Sequence, residues 1–259
     1  LEFLAAVFGN LGIGQQQALM FALLLPFFPL LLLLNRRIRE RGRPALRPIA
    51  GYTALQRYLG RATESGRKVH VSMGTGGVGT RVTAESLAGV TVLEYVAGHA
   101  LATGSEFVVT VSDPSLLPVA KDVVGSARAA QGYPEDYDPS CVRFISPDKV
   151  AYAAGVADIL GHAQVSANVL VGSFGDEFLL MSEVGARKDL SQVGGTTSTE
   201  ILPFVYASTD HTLIGEEIFA AGAYLRDKTS HLASLVTQDW LRTAIIITIV
   251  IGIVVRSLA

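Results

Sequence analysis

The chain is 259 residues long, 49% hydrophobic and only 17% charged, with a mean hydropathy of +0.39. Soluble domains carry about 25% charge, which excludes an ordinary water-soluble protein. The formal net charge of −2 argues against a nucleic-acid binder held by phosphate neutralisation, and a lone cysteine, Cys141, excludes an internal disulfide framework or a thiolate-rich zinc site.

Residues 1–17 open on the apolar run LEFLAAVF and are expected to be an outer-face or incomplete N-terminal segment. Residues 18–34, ALMFALLLPFFPLLLLL, hold no charge; as a helix they reach about 26 Å, close to the hydrocarbon thickness of a bilayer. Pro26 and Pro29 bend such a span without forbidding it, because neighbouring groups satisfy the freed carbonyls. A basic linker follows at residues 35–48, with Arg36, Arg37, Arg39, Arg41, Arg43 and Arg47 against Glu40. With Glu2 counted, six arginines stand against two acids over residues 1–48, so this end carries +4 and the remainder −6. The positive-inside rule then predicts the N-terminus outside and the body in the cytoplasm, beside a lipid bilayer whose anionic headgroups attract the arginines.

Residues 49–215 alternate short β-branched runs with longer helical patterns. The predicted strands are Val69–Met73, Phe107–Ser112, Val142–Ser146, Asn168–Phe174, Ser191–Gly194 and His211–Ile214, and the predicted helices cover about 83–103, 115–131, 149–163, 176–189 and 199–208. Several runs are apolar at consecutive positions, as in strands covered on both faces. The predicted fold is α/β: a Rossmann-like, doubly wound, mainly parallel sheet of about six strands, flanked by N- and C-terminal transmembrane helices. Thr83 with Glu85 and Ser86, Asp113-Pro114, and Ser146-Pro147-Asp148 supply helix-start chemistry. The acidic loop Gln131–Ser140, with Glu135, Asp136 and Asp138, lacks EF-hand spacing and reads as a solvated turn.

No proline interrupts the chain after Glu216. Residues 216–242 are predicted as a long helix or stalk running into a second span at 243–259, a rod of about 40 residues and about 60 Å, with a break near Thr229-Ser230 as the other reading. The apolar heart of that span, Thr243–Val255, is only about 20 Å long, but Trp240 as an interfacial anchor and snorkelling Arg242 and Arg256 lengthen it. Stiff coupling of domain to membrane suits assembly, so the expected partners are further copies of the chain and other membrane proteins, with no nucleic acid. Helices crowded with Ala and Gly serve either close internal packing or flat subunit contacts.

The candidate binding site follows the first strand. Gly74, Gly76 and Gly79 in Gly74-Thr75-Gly76-Gly77-Val78-Gly79 match G-x-G-x-x-G, whose glycines let the backbone approach a pyrophosphate at a helix N-terminus. Arg81 is the candidate phosphate contact and Asp113 the candidate acid at the end of the second strand; with the three glycines they form a cofactor-binding set for an NAD-type nucleotide. Two details depart from the fingerprint. Capping chemistry begins only at Thr83, and Asp113 lies 34 residues after Gly79 instead of about 20. The other reading of the loop is a flexible glycine turn or a close packing surface for a neighbouring subunit, and the sequence requires no cofactor. Small polar strand ends at 172–176, 194–198 and 215–217 gather with it on the carboxyl edge of the predicted sheet, where α/β folds bind ligands.

No catalytic residue and no metal site are predicted. His70, His99, His162, His211 and His231 lack metal-ligand spacing. Asp210 and His211 point to opposite faces of a strand, and Glu216 and Glu217 read as helix-dipole complements.

The stretches VHVSMGTGGVGT, TAESLAGVTVLEYVAGHA, VTVSDPSLLPVAKDV, VRFISPD, AYAAGVADIL, NVLVGSFGDEFLLMSE, QVGGTTS and HTLIGEEIFAAGAYL resemble a bacterial membrane-protein family known only as a domain of unknown function, over about residues 36–226. The resemblance implies two spans around an α/β body and transfers no activity, ligand or catalytic residue. The expected role is a non-catalytic scaffold or ring, self-associating on the cytoplasmic face of the bacterial inner membrane. The second reading is a membrane-tethered nucleotide- or dinucleotide-binding sensor or oxidoreductase that uses Gly74–Gly79.

Overall fold

The computed structural model describes residues 15–42, 44, 46–132, 138–226 and 229–258. Most of the expected N-terminal segment, Arg43, Glu135, Asp136 and the polar pair Asp227-Lys228 lie outside them. Residues 47–226 form one compact unit, and the described residues on either side form another.

The strands are β1 (Lys68–Gly74), β2 (Phe107–Val111), β3 (Val142–Phe144), β4 (Val165–Ser173), β5 (Ser191–Thr196) and β6 (His211–Ile214). The helices are α1 (Gln15–Arg41), α2 (Ala50–Ser65), α3 (Thr83–Thr103), α4 (Leu116–Ala130), α5 (Lys149–His162), α6 (Glu177–Arg187), α7 (Leu202–Ser208), α8 (Ala221–Tyr224) and α9 (Thr229–Leu258). Each predicted strand forms, and the helices expected between them form with ends shifted by up to three residues.

The sheet runs β3-β2-β1-β4-β5-β6, and every pairing is parallel. Such a sheet is stable only when both faces are covered. α3 and α4 pack together, as do α5 with α6 and α6 with α7. On the α3 side, Gly89 lies against Met73 and the Val171 carbonyl, where a Cβ would stand 2.5 Å from the oxygen. Here a small residue serves close helix-on-strand packing, as do the buried Ala88, Ala97 and Ala100 of the same helix. On the opposite face, Tyr152, Val156, Leu170, Phe178, Met181 and Val205 form one apolar cluster.

α2 precedes the first strand and has no counterpart among the predicted elements. Its buried residues, Tyr52, Leu55, Leu59 and Ala62 among them, recur at helical spacing. Gly66, at φ 64°, ends it in the left-handed conformation that favours glycine.

Two expectations need correction. Thr83 does not cap α3: the cap position is Val82, and the Thr83 hydroxyl donates to the Thr80 carbonyl at 2.6 Å, so it offers no acceptor to the first turn. Asp148, by contrast, accepts the Ala151 N–H at 2.8 Å as a helix cap does.

The second correction concerns the rod expected from Glu216. Gly215–Ala220 is a 3₁₀ segment, α8 stops at Tyr224, and α9 begins at Thr229. The Glu217 carboxylate folds back to accept the Ile214 N–H at 3.1 Å and pairs with Arg47 at 2.7 Å. The Tyr52 hydroxyl contacts the carbonyls of Glu217 at 2.6 Å and Ile218 at 3.2 Å. These contacts tie the 3₁₀ segment to Arg47 and to α2. Glu217 is thus an ion-pair partner as well as an acid at a helix start.

In the other unit α1 and α9 pack along each other, with Leu34, Ile38, Leu232, Ala233 and Thr237 buried. Among the described residues, one stretch has the length and hydropathy to cross a membrane, Thr229–Val254 of α9. α1 is helical through residues 18–34, Pro26 and Pro29 included, but does not meet that description.

A candidate ligand edge closed by its own side chains

The strand order reverses between β1 and β4, and the loops leaving them turn toward opposite faces of the sheet. In open α/β sheets this switch point is where ligands bind. The glycine-rich loop 74–79 leaves β1 there. Gly74 and Gly79 adopt φ 81° and 87°, a region closed to most L side chains. A Cβ on Gly74 would also overlap the Ser173 carbonyl, which accepts the Thr75 N–H at 2.9 Å. The ends of β1 and β4 are therefore stitched together at the point where a crevice would open.

Asp113 does reach the loop. Its carboxyl group lies against Gly77, where any Cβ would overlap it. One carboxylate oxygen accepts the Ser115 N–H at 2.8 Å and the Ser115 hydroxyl. The Ser115 oxygen in turn accepts the Val78 N–H at 2.8 Å. Gly76 is packed against Ser86, Ser173 and Val82. Gly74, Gly76 and Asp113 are thus brought together, whereas Gly79 and Arg81 lie on the exposed outer arm of the loop.

Much of the loop's hydrogen-bonding capacity is already used inside the chain. The N–H groups of Gly74, Thr75 and Val78 are taken by Ser72, Ser173 and Ser115. Thr75 donates its hydroxyl to Glu177 at 2.9 Å, and the same oxygen of Glu177 accepts the Gly175 N–H at 2.8 Å. Glu177 is 2% exposed. Its other oxygen is buried without a hydrogen-bond partner, beside Gly175, which the Lys149 ammonium also approaches. Glu85 at the start of α3 bonds to Thr197. Two carboxylates, Asp113 and Glu177, therefore lie against the loop, with the Lys149 ammonium near the second.

One prediction tests this packing. Gly77→Ala should destabilise the chain by about 1–3 kcal/mol by overpacking, and Asp113→Ala in the same molecule should recover at least half, because the three atoms nearest the added methyl all belong to that side chain. Chemical denaturation of the four proteins in a double-mutant cycle measures this; simple additivity would show that the carboxyl group does not fill the loop.

Behind the loop runs a buried polar chain that sequence reading does not assemble. His70 and Ser72 on β1, Thr110 on β2, Asn168 on β4 and Gln192 on β5 are each no more than 2% exposed. His70 and Asn168 are register partners, as are Ser72 and Thr110, and Asn168 and Gln192. His70 Nδ1 lies 2.7 Å from Asn168 Oδ1, and Nε2 lies 2.9 Å from the Thr110 hydroxyl. Asn168 donates to Gln192 at 2.8 Å, and Gln192 to the Ser182 and Ser208 carbonyls at 2.9 and 3.0 Å. Tyr152 of α5 stands 2.9 Å from the Thr110 hydroxyl and 2.7 Å from that of Ser72.

These contacts have one consistent direction. Asn168 Oδ1 can only accept, so His70 carries its proton on Nδ1 and Nε2 accepts from Thr110. Tyr152 then donates to Thr110, Ser72 to Tyr152, and the Gly74 N–H to Ser72 at 3.2 Å. Burial keeps both titratable members neutral: the His70 imidazolium is pushed down to about 4, despite the Asn168 bond, and the Tyr152 phenol up to about 12.

Asp210 accepts the Gln192 N–H at 2.8 Å, and His211 packs on Tyr58 with ring centroids 6.1 Å apart. Among the described residues no cluster of His, Cys, Asp or Glu has the arrangement to hold a metal ion. A cavity of about 450 Å³ bordered by Lys68, Phe107, Arg128 and Arg143 lies at the amino edge of the sheet, away from the glycine loop.

Fold and site define a class: an α/β chain with a parallel sheet in Rossmann order, a glycine-rich loop at its switch point, and a C-terminal helix apolar enough for a membrane. The chain belongs to the DUF6754 family, a domain of unknown function, whose match covers residues 11–259. That match takes in both terminal segments and so extends well beyond the 36–226 of the expected resemblance. No curated protein and no solved structure matches the chain.

Proposed function

We propose that the protein is a two-span membrane protein, with its N-terminus outside and its α/β unit in the cytoplasm. The unit assembles with further copies of itself into a non-catalytic scaffold or ring on the inner face of a bacterial cytoplasmic membrane. Large apolar side chains exposed on α1 (Leu25, Phe28, Leu32, Leu33) and along α9 from Ile245 to Val254 support the spans, because such surface is stable only when covered.

The observation that carries assembly is where the α/β unit exposes apolar surface. Val78 after β1, Phe144 ending β3 and Ile214 ending β6 are 40–45% exposed; Val150, Leu180 and Phe204, in the opening turns of α5, α6 and α7, are 41–66% exposed. All six belong to the carboxyl edge, where the chain's own groups fill the loop. An edge whose loop is largely occupied by the chain's own groups and that carries exposed apolar side chains suits a protein surface.

Native mass spectrometry of the full chain in mild detergent tests this: an assembly larger than the monomer is expected, dissociating in the double variant Leu180→Asp, Phe204→Asp. A wild-type monomer would sink the proposal.

The strand order and the position of Asp113 beside the loop favour a second reading, a tethered nucleotide-binding protein. Calorimetry of the full chain against NAD(H), NADP(H), ATP and GTP separates the two. Micromolar binding that is lost in Gly76→Val would replace the scaffold with a sensor or oxidoreductase.

A further inference from the structure

Where α1 leaves its apolar stretch and α9 meets its own, an open cavity of about 280 Å³ is lined by Leu34, Arg37, Ile38, Pro44, Val236 and Trp240. Leu34 and Ile38 are buried, while Trp240 is 60% exposed and Arg37 is exposed. The lining is therefore apolar, with one guanidinium and one indole at its rim. We propose that this cavity binds a phospholipid with an anionic headgroup, the phosphate on Arg37 and the acyl chains along the apolar faces of α1 and α9. The inference rests on the membrane reading above and adds a specific ligand to it.

Three observations favour that occupant. The first is the level of the cavity. In α1 the apolar run ends at Leu34 and the basic residues begin at Arg36; in α9 the polar residues end at Arg242 and the apolar run begins at Thr243. The cavity lies just on the polar side of both changeover points, lined from Leu34 to Pro44 and from Val236 to Trp240, which for a spanning pair is the depth of lipid headgroups.

The second is charge. Around it α1 places Arg36, Arg37, Arg39 and Glu40, and α9 places Asp239 and Arg242, an excess of two positive charges. Glu40 is bonded to Arg36 at 2.9 Å, on the same helix. A guanidinium can take a phosphate through two parallel N–H bonds, and basic pockets between membrane helices are established headgroup sites.

The third is shape. The volume suits a headgroup and not a whole lipid, and the surface next to it, Leu33 at 66% exposure and Ile245 to Val254, is what acyl chains would cover. Trp240 has an N–H donor and a ring that favours this depth.

The test is lipid retention by the full chain, purified in mild detergent and followed by native mass spectrometry with phosphatidylglycerol and phosphatidylcholine as probes. Wild type is expected to keep one phosphatidylglycerol in preference to phosphatidylcholine. Arg37→Gln should lower that retention about tenfold, the effect of losing a charge-assisted hydrogen bond in a partly desolvated site. Trp240→Ala should lower it as well, while Arg39→Gln, on the same helix but not among the residues that line the cavity, should stay within about twofold. Circular dichroism of each variant checks that the helices persist.

Equal loss in Arg37→Gln and Arg39→Gln, no loss in either cavity variant, or no preference for phosphatidylglycerol overturns the site. An alkaline wash of vesicles keeps the two inferences apart. A chain that stays with the vesicles yet shows no selective retention defeats the lipid site alone, and a chain released into solution defeats the membrane reading together with it.

Discussion

Acidifying the detergent-solubilised protein from about pH 6.5 to about pH 4 is expected to remove about 3 kcal/mol of stability through His70 alone. His70 is fully buried, and its pKa falls from 6.5 to about 4 because burial penalises the imidazolium more than the Asn168 bond helps it. The unfolded chain takes up the proton near pH 6.5 and the folded chain only near pH 4. Between those values the unfolded state binds more protons, so stability rises with pH; the contribution is complete above 6.5 and gone below 4. The groups bonded to the ring, Thr110 and Asn168, and Tyr152 beyond them, carry no charge in that window. Urea denaturation at pH 7.5, 6, 5 and 4.5, beside His70→Gln, isolates the histidine from the carboxylates that titrate in both proteins. The advantage of wild type over the variant should shrink steadily with acid. Parallel pH profiles would rule out a buried neutral histidine as its source.

The second large effect lies one link along the same chain. Asn168→Leu keeps the approximate volume but leaves the His70 Nδ1–H and the Gln192 Oε1 facing an apolar group. Each orphaned polar atom costs about 1–3 kcal/mol in a dry interior, so the variant should lose about 4 kcal/mol. Ser72→Ala, at the end of the chain, orphans only the Gly74 N–H as a donor and should cost about 1–2 kcal/mol. Denaturation midpoints of the two variants measure the difference. If Asn168→Leu stayed within about 1 kcal/mol of wild type, the side chains could not form one connected network.

Much of the fold is legible along the chain because its signals are local. Runs such as FVVTV and NVLVGS declare strands, and Asp148 stands where a cap is needed. α2 carries a fair helical period, but its Tyr and Gly residues dilute the apolar stripe that announces a helix. The polar chain shows in VHVSM, FVVTV and SQVG only as one or two polar residues inside apolar runs. That His70, Thr110, Asn168 and Gln192 form a line depends on β1 lying between β2 and β4, which no local pattern specifies. The glycine loop is similar. Spacing points to a partnership with Asp113, but the turn that lays the carboxyl group on Gly77 depends on Ser115. The end of the predicted rod is set by Glu217 and Arg47, 170 residues apart.

That last contact also governs how the α/β unit would bear tension. The Tyr224 hydroxyl bonds to the Arg47 carbonyl at 2.5 Å, and Tyr224 stacks on Tyr52 with ring centroids 5.5 Å apart. The first and last residues of the unit are therefore buckled side by side. A pull that drew the two flanking segments apart would load this buckle first, parting a few bonds one after another, before any strand of the sheet felt the force. Such loading would open and reclose the buckle while the sheet and its buried histidine stayed at rest.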